Sequence, residues 1–153
     1  MAIRSLIRSI VKKGKAMDET AILLGIEAMR SDPQYHAAEV LRRDTRGGAA
    51  TMALAPKDSK ERNAVLLLIS NWEVFAVLIR GSRGRDKIFE VTPVCHMHTE
   101  LSPAIEHLRE EIPGLATNFE KMNVEYHAWL KKKKKHAKYV TAACDGSLHA
   151  KFG

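Results

Sequence analysis

The stretch that decides the predicted fold is residues 73–94, EVFAVLIRGSRGRDKIFEVTPV. Residues 73–80 are rich in Val, Phe, Leu and Ile, which are residue types favoured in buried strands. A glycine-rich, basic segment follows at residues 81–86, and residues 87–94 return to apolar and β-branched types. Two such runs on either side of a short loop are typical of a β-hairpin. The stretch therefore predicts two adjacent antiparallel strands.

The segments before and after this hairpin predict a sheet covered by helices. Residues 50–55 read as a short strand, and the capping-box spacing of residues 58–61 opens a helix over residues 59–70. A second helical segment starts at Ser102-Pro103, is interrupted at Pro113-Gly114, and restarts at the capping-box spacing of residues 117–120. Residues 139–143 read as the last strand.

The resulting order from residue 50 onward is strand, helix, strand, strand, helix, strand. This order is the split βαβ arrangement of ferredoxin-like domains, with an antiparallel sheet and both helices on one face. The predicted fold class is therefore α+β. A competing topology takes residues 63–70 as a strand, which gives a meander with helices packed on it.

The first third of the chain is predicted to be helical. Asp18 can cap a helix that runs to about Met29, and Asp32 followed by Pro33 is a helix-start signal for a further helix that ends near Arg43. The predicted domain organisation is an N-terminal helical arm at 1–46, an α+β core at 49–146 and a C-terminal tail at 147–153.

Composition places the chain among globular proteins. Its 153 residues are 45% apolar and 28% charged, and there is no unbroken apolar run of roughly 20 residues and no secretory leader pattern. Two cysteines are too few for a disulfide framework, which favours the reducing cytoplasm. A mitochondrial presequence remains an alternative for the cationic residues 1–15.

The charge balance indicates a polyanionic partner. Lys and Arg number 25 against 18 acids, for a formal net charge of +7 and a pI near 9.5. Mobile cations bind phosphates with little regard to base sequence, so DNA or RNA is the predicted partner. The predicted contacts form two clusters: Arg83, Arg85 and Lys87 in the loop, and Lys131, Lys132, Lys133, Lys134, Lys135 and Lys138 near the C-terminus.

The first residues supply a second possible contact. Apolar residues of the segment 1–13 recur at helical spacing, and most of its cations fall outside that stripe. Such a helix could dock on the core, self-associate, bind a partner protein or lie on nucleic acid. A membrane surface is a further option that ranks below these.

A catalytic alternative rests on Cys95-His96-Met97-His98. On a strand, His96 and His98 would project from the same face and could hold a divalent metal. The spacing resembles the two-histidine motif of rolling-circle and transposon nucleases. That resemblance implies a metal that polarises a phosphate and a tyrosine nucleophile, here Tyr126. Pro93 and the lack of a lysine one turn after Tyr126 depart from the family pattern.

A zinc site is the third arrangement considered. Cys95 and His98 could join Cys144 and His149 if the predicted strand ends share one edge.

The sequence contains no nucleophile elbow, phosphate loop or dinucleotide fingerprint. The leading hypothesis is therefore a nucleic-acid-binding module that needs no catalytic site or cofactor. The alternatives are the metal-dependent nuclease and a structural protein of a larger nucleoprotein particle.

Overall fold

The computed structural model describes residues 19–80, 82 and 84–133, and every regular element in that part of the chain is an α-helix. The helices are α1 (Glu19–Arg30), α2 (Pro33–Asp44), α3 (Gly48–Leu54), α4 (Lys60–Arg80), α5 (Arg85–Val91), α6 (Val94–Leu108) and α7 (Thr117–Lys133). The predicted α+β, ferredoxin-like fold is therefore wrong. The strands predicted at 50–55, 73–80 and 87–94 coincide largely with helices, and the strand predicted at 139–143 lies outside the described residues.

Helix α4 shows why the prediction failed. It runs without a break through the predicted helix 59–70 and the predicted strand 73–80. Its buried side chains recur every three or four residues, as one stripe of a helix requires: Val65, Leu68, Ile69, Trp72, Phe75, Ala76, Leu78 and Ile79. A short apolar window does not distinguish a buried strand from one part of a buried helix. Only the spacing of apolar residues over a longer stretch distinguishes the two.

Helix α4 lies at the centre of the core, with α2, α3 and α7 packed around it. The indole ring of Trp72 stacks on Phe119 of α7 with ring centroids 5.4 Å apart. Its Nε1–H donates a hydrogen bond of 3.1 Å to the hydroxyl oxygen of Tyr35 on α2. One side chain of α4 thereby fixes both neighbouring helices.

The helix starts were predicted better than the strands. Asp32 caps α2 as expected, because its Oδ1 accepts from the backbone N–H groups of Gln34 and Tyr35. At the start of α4 the predicted cap, Asp58, instead has a φ of 65°. Ser59 accepts the N–H of Arg62 in its place. The predicted start of the helix is right, but the residue that caps it differs.

The predicted hairpin is replaced by the short helix α5. Its Ile88 and Phe89 are buried, and the Phe89 ring packs edge-on against Tyr126 and Trp129 at centroid distances of 5.3 and 5.6 Å. Helix α6 begins at Val94 rather than at Ser102 and continues through Pro103. The run 87–94 therefore belongs to two helices that meet at Thr92-Pro93.

The helices on either side of residue 47 share one core cluster, to which Ile22 and Tyr35 contribute together with residues of α4, α6 and α7. The domain boundaries at 46 and 146 stay predictions.

Helix α4 is long and apolar enough to cross a membrane, and more than half of its most apolar window is buried among the other helices. Core helices of soluble proteins share these properties with membrane spans.

Candidate polyanion interface

The structure brings the beginning of α1 against the beginning of α5. A carboxylate oxygen of Glu19 lies 3.5 Å from the Lys87 ammonium nitrogen. A Cβ atom built on Gly84 would lie 2.8 Å from the Cβ of Glu19, so the chain at Gly84 passes close to the first residue of α1. The point where the basic residues 1–15 join the described part therefore lies beside the predicted basic loop.

Helix α5 is also joined to the last turns of α7. Asp86 Oδ1 accepts a hydrogen bond of 3.1 Å from Trp129 Nε1. One turn earlier, Arg85 Nη1 donates to Glu125 Oε2 at 2.8 Å. Because the lysine run begins two residues after Trp129, Lys131 and Lys132 lie near residues 85 and 86 of the loop.

Two basic segments that are far apart in sequence thus lie at one end of the described part, together with Glu19, its first residue. We call this region the basic end, defined as Glu19, residues 84–87, Arg80 with Glu125, and residues 129–133. Lys131 and Lys132 are exposed at the end of the described part of α7. Arg83, Lys134, Lys135 and Lys138 were predicted to contribute as well, and they lie outside the described residues.

The distribution of charge differs from what the total implies. The described residues include 15 Lys and Arg and 16 Asp and Glu, whereas the whole chain has 25 and 18. The described part thus has a formal net charge of −1, and the other residues carry +8. The basic character resides in the segments that flank the described part, and both long ones join it at the basic end.

Two of the predicted loop contacts are already paired with acids. Arg85 is paired with Glu125, and Lys87 with Glu19. These pairs are partly exposed to solvent, so water and salt screen them. Anion binding by Arg85 or Lys87 therefore has to compete with a carboxylate of the same chain.

Glu125 accepts from a second arginine that the sequence analysis missed. Arg80 Nε lies 3.1 Å from Glu125 Oε1, and Arg80 Nη1 donates to Asn118 Oδ1 at 3.1 Å. The amide nitrogen of Asn118 donates in turn to Glu73 Oε1 at 2.8 Å, which fixes the orientation of the amide. Glu73 and Arg80 lie seven residues apart, or two turns of a helix. A helical reading of residues 60–80 would have placed them on one face.

The second oxygen of Glu73 completes this arrangement. Oε2 accepts the backbone N–H of Phe119 at 2.8 Å, while Oε1 also accepts the N–H of Asn118 at 3.0 Å. These are N–H groups of the first turn of α7, which have no partner within their own helix. A carboxylate on α4 thus caps α7 from outside and positions Arg80 through Asn118.

The two-histidine arrangement is absent from the described part of the chain. His96 and His98 lie on α6, where residues two apart point about 200° away from each other because each residue turns the helix by about 100°. The His98 ring packs edge-on against Phe119, and its buried Nε2 atom has no hydrogen-bond partner. Burial lowers the pKa of His98, which favours the neutral ring. The two imidazoles cannot chelate one metal in this geometry.

Tyr126 is likewise unsuited to attack a phosphate in this conformation. Its side chain is fully buried, with its ring against Phe89 and Trp129. Burial raises the pKa of its hydroxyl, which disfavours the phenolate. The sequence spacing that suggested a nucleophile belongs to the apolar stripe of α7.

No group of three or more potential metal ligands occurs among the described residues. Cys95 is disulfide-bonded and is therefore not a free thiolate ligand. Cys144 and His149, the other predicted zinc ligands, lie outside the described part. The zinc arrangement consequently gains no support from the packing of α6.

Comparisons with known proteins identify no relative. No family model, curated protein or solved structure matches this chain.

Proposed function

We propose that this protein binds nucleic acid through the phosphate backbone, with the basic end as the contact surface. The observation that supports the proposal is that exposed cations of the loop and of the lysine run lie at one end of a described helical body that is itself close to neutral. The affinity gained by counterion release depends on how many cations contact phosphates locally. It does not depend on the total net charge of the protein. The helical body then acts as a scaffold that positions the cations.

The lysine run is the principal contact in this proposal. Lys131 and Lys132 are exposed, and neither takes part in a salt bridge of the described residues. The loop cations Arg85 and Lys87 already form ion pairs in the free protein, so they contribute less to the affinity for phosphates. Binding through backbone phosphates requires no catalytic group.

The experiment compares two variants with the same change in net charge. The first replaces Lys131 to Lys135 by Gln. The second replaces five exposed cations elsewhere on the body that take part in none of its described salt bridges: Arg30, Arg46, Lys57, Lys60 and Lys121. Fluorescence anisotropy with labelled single-stranded DNA, single-stranded RNA and duplex DNA is recorded over a salt series, after circular dichroism has verified helix content.

We expect the lysine-run variant to lose most of its affinity and the body variant to keep most of it. For single strands, the slope of log affinity against log salt should fall by up to about 3.5 in the lysine-run variant, at about 0.7 per lost phosphate contact. Equal losses in both variants would show that net charge alone matters and would contradict the assigned surface. No binding by the unaltered protein at low salt would contradict the proposed function itself.

A further inference from the structure

Glu125 has an unusual place at the basic end, because one carboxylate serves two arginines. Arg80 binds Oε1 and Arg85 binds Oε2, at 3.1 and 2.8 Å. The two arginines come from different helices, α4 and α5, and converge on a residue of α7. Two guanidinium groups therefore share the two oxygens of one carboxylate.

The three side chains are accessible from solvent. Their exposed fractions are 35% for Arg80, 45% for Arg85 and 31% for Glu125. The exposure of both guanidinium groups makes them accessible to a phosphate group from solvent. The planar guanidinium fork fits the oxygens of a phosphate as well as those of a carboxylate.

Arg80 is also held in position before any anion arrives. Asn118 accepts from its Nη1, and the orientation of Asn118 is fixed by Glu73. A donor that is already oriented loses less conformational entropy when a ligand binds. Glu73 therefore acts as a positioning residue for Arg80, and it does not itself face the anion.

We propose that Arg80 and Arg85 form a phosphate-binding subsite that Glu125 occupies in the free protein as an internal competitor. This inference rests on the proposed nucleic-acid binding and adds to it a particular pair of residues and a carboxylate that opposes binding. The ligand class is a backbone phosphate of a polyanion held nearby by the lysine run.

Because the carboxylate of Glu125 is tethered beside the arginines, we expect the subsite to bind a polyanion and not a free phosphate ion. Glu125 is part of the same chain and is present at a high effective concentration, so a free phosphate ion competes poorly with it. A nucleic acid already bound at Lys131 and Lys132 brings its next phosphates to the subsite as an intramolecular ligand. Loss of the lysine run should therefore also abolish the contribution of the arginine pair.

The test removes the competitor. Glu125→Gln keeps the shape of the side chain and removes its charge, and Glu111→Gln is the matched control. Glu111 lies at the C-terminal side of α6 and forms a salt bridge of 2.8 Å with Arg62. Both variants lose one negative charge that is paired with arginine, in one ion pair for Glu111 and in two for Glu125. The probe is a labelled single-stranded DNA of about 20 nucleotides, a length that exceeds a typical single-strand site.

We expect Glu125→Gln to bind this DNA about 3- to 10-fold more tightly, with a salt slope steeper by about 0.7 for the one additional phosphate contact. Glu111→Gln should change affinity less than about twofold, since its charge lies away from the basic end. The double variant Arg80→Gln with Glu125→Gln should lose the gain. In the background with Lys131 to Lys135 replaced, Glu125→Gln should have no effect.

The possible failures are distinguishable. If the unaltered protein and Glu125→Gln both fail to bind, the proposed function is contradicted. If the unaltered protein binds and Glu125→Gln is no tighter than Glu111→Gln, the subsite is overturned while nucleic-acid binding stands. Should Glu125→Gln lose its helical circular dichroism, DNA binding by the Arg85→Gln variant tests the subsite instead. Weaker binding by folded Arg85→Gln supports the subsite, and unchanged binding overturns it.

Discussion

Two clusters of the same residue types occur in this molecule in opposite arrangements. In one, Arg42 lies between two glutamates: Nε and Nη2 donate to Glu39 at 3.0 and 3.1 Å, and Nη1 donates to Glu100 at 2.7 Å. In the other, Glu125 lies between Arg80 and Arg85. Arg42 is only 7% exposed, whereas all three members of the second cluster are about a third or more exposed.

The difference separates a structural cluster from one that can bind a ligand. Arg42 is saturated by carboxylates on α2 and α6, and its hydrogen bond with Glu39 raises its pKa. A buried cation whose donors are all occupied is not available to a ligand, and its removal leaves the buried carboxylate of Glu39 without its main partner. The exposed cluster has an excess of donors and is reached by water, so its ions can change partners at little cost.

The largest expected effect comes from breaking the buried cluster. Arg42→Met keeps a side chain of similar length and leaves Glu39 without its main partner. We expect the free energy of unfolding to fall by about 3–5 kcal/mol, as in other buried pairs that lose one member. Urea denaturation measures it. Arg43→Met is the control, because Arg43 is 61% exposed and lies 3.8 Å from Glu39. A loss no larger than that of the control would contradict a structural role for Arg42.

The second effect is a pH dependence at the same cluster. Burial, and then the charge of Glu39, raise the pKa of Tyr35 to about 12. Folded Tyr35 keeps its proton while the unfolded chain releases it above its ordinary pKa of 10.0. The associated stability is therefore fully present below about pH 10 and is lost as pH rises through about 12. The loss amounts to about 2–3 kcal/mol at 1.36 kcal/mol per pKa unit.

Tyr35→Phe tests this linkage. The variant loses the hydrogen bond with Trp72 and should be less stable at neutral pH, but its stability should decline less between about pH 10 and 12. Unfolding by urea at a series of alkaline pH values gives both quantities. Parallel curves for the variant and the unaltered protein would show that Tyr35 does not titrate with folding.

The sequence was informative about helix starts and misleading about strands. Asp32-Pro33 and the spacing at residues 117–120 predicted two helix starts that the structure confirms. The Asp32 cap acts within one turn and does not depend on the rest of the fold, whereas the first turn of α7 is capped by Glu73 of α4. The run 73–80 contains several β-branched residues but forms the last two turns of the core helix α4. Tertiary packing on several sides overrides such a weak preference.

The candidate site was predicted in part. The sequence predicted the loop cations and the lysine run as contacts, but it gave no indication that Trp129 bonds to Asp86 or that Glu125 bonds to Arg85. Those contacts join residues about 40 positions apart and depend on how α5 packs on α7. The two-histidine hypothesis failed for the same reason as the fold. Residues two apart share a face only on a strand.

A third prediction concerns Glu73, which connects the core to the exposed cluster. Glu73→Gln should lower the free energy of unfolding by about 1–2 kcal/mol, because a neutral amide caps the first turn of α7 less well than a carboxylate. Glu106→Gln on α6 is the control. Glu106 is exposed and has no hydrogen bond or salt bridge among the described residues, so its loss should be within about 0.5 kcal/mol. Thermal unfolding compares the two variants, and equal losses would mean that Glu73 is not a cap.

The smallest expected effect on stability is at Glu125. Its size tests most directly whether the exposed cluster differs from the buried cluster at Arg42. Glu125→Gln should change the free energy of unfolding by less than about 1 kcal/mol, because partly exposed ion pairs contribute little. A double-variant cycle of Arg85→Gln and Glu125→Gln should give a coupling energy that shrinks as salt rises, whereas a cycle of Arg42→Met and Glu100→Gln should change less. A large, salt-insensitive coupling at Glu125 would make that cluster structural like the one at Arg42. A small, salt-sensitive coupling together with a gain in DNA affinity is what a carboxylate in a phosphate subsite requires.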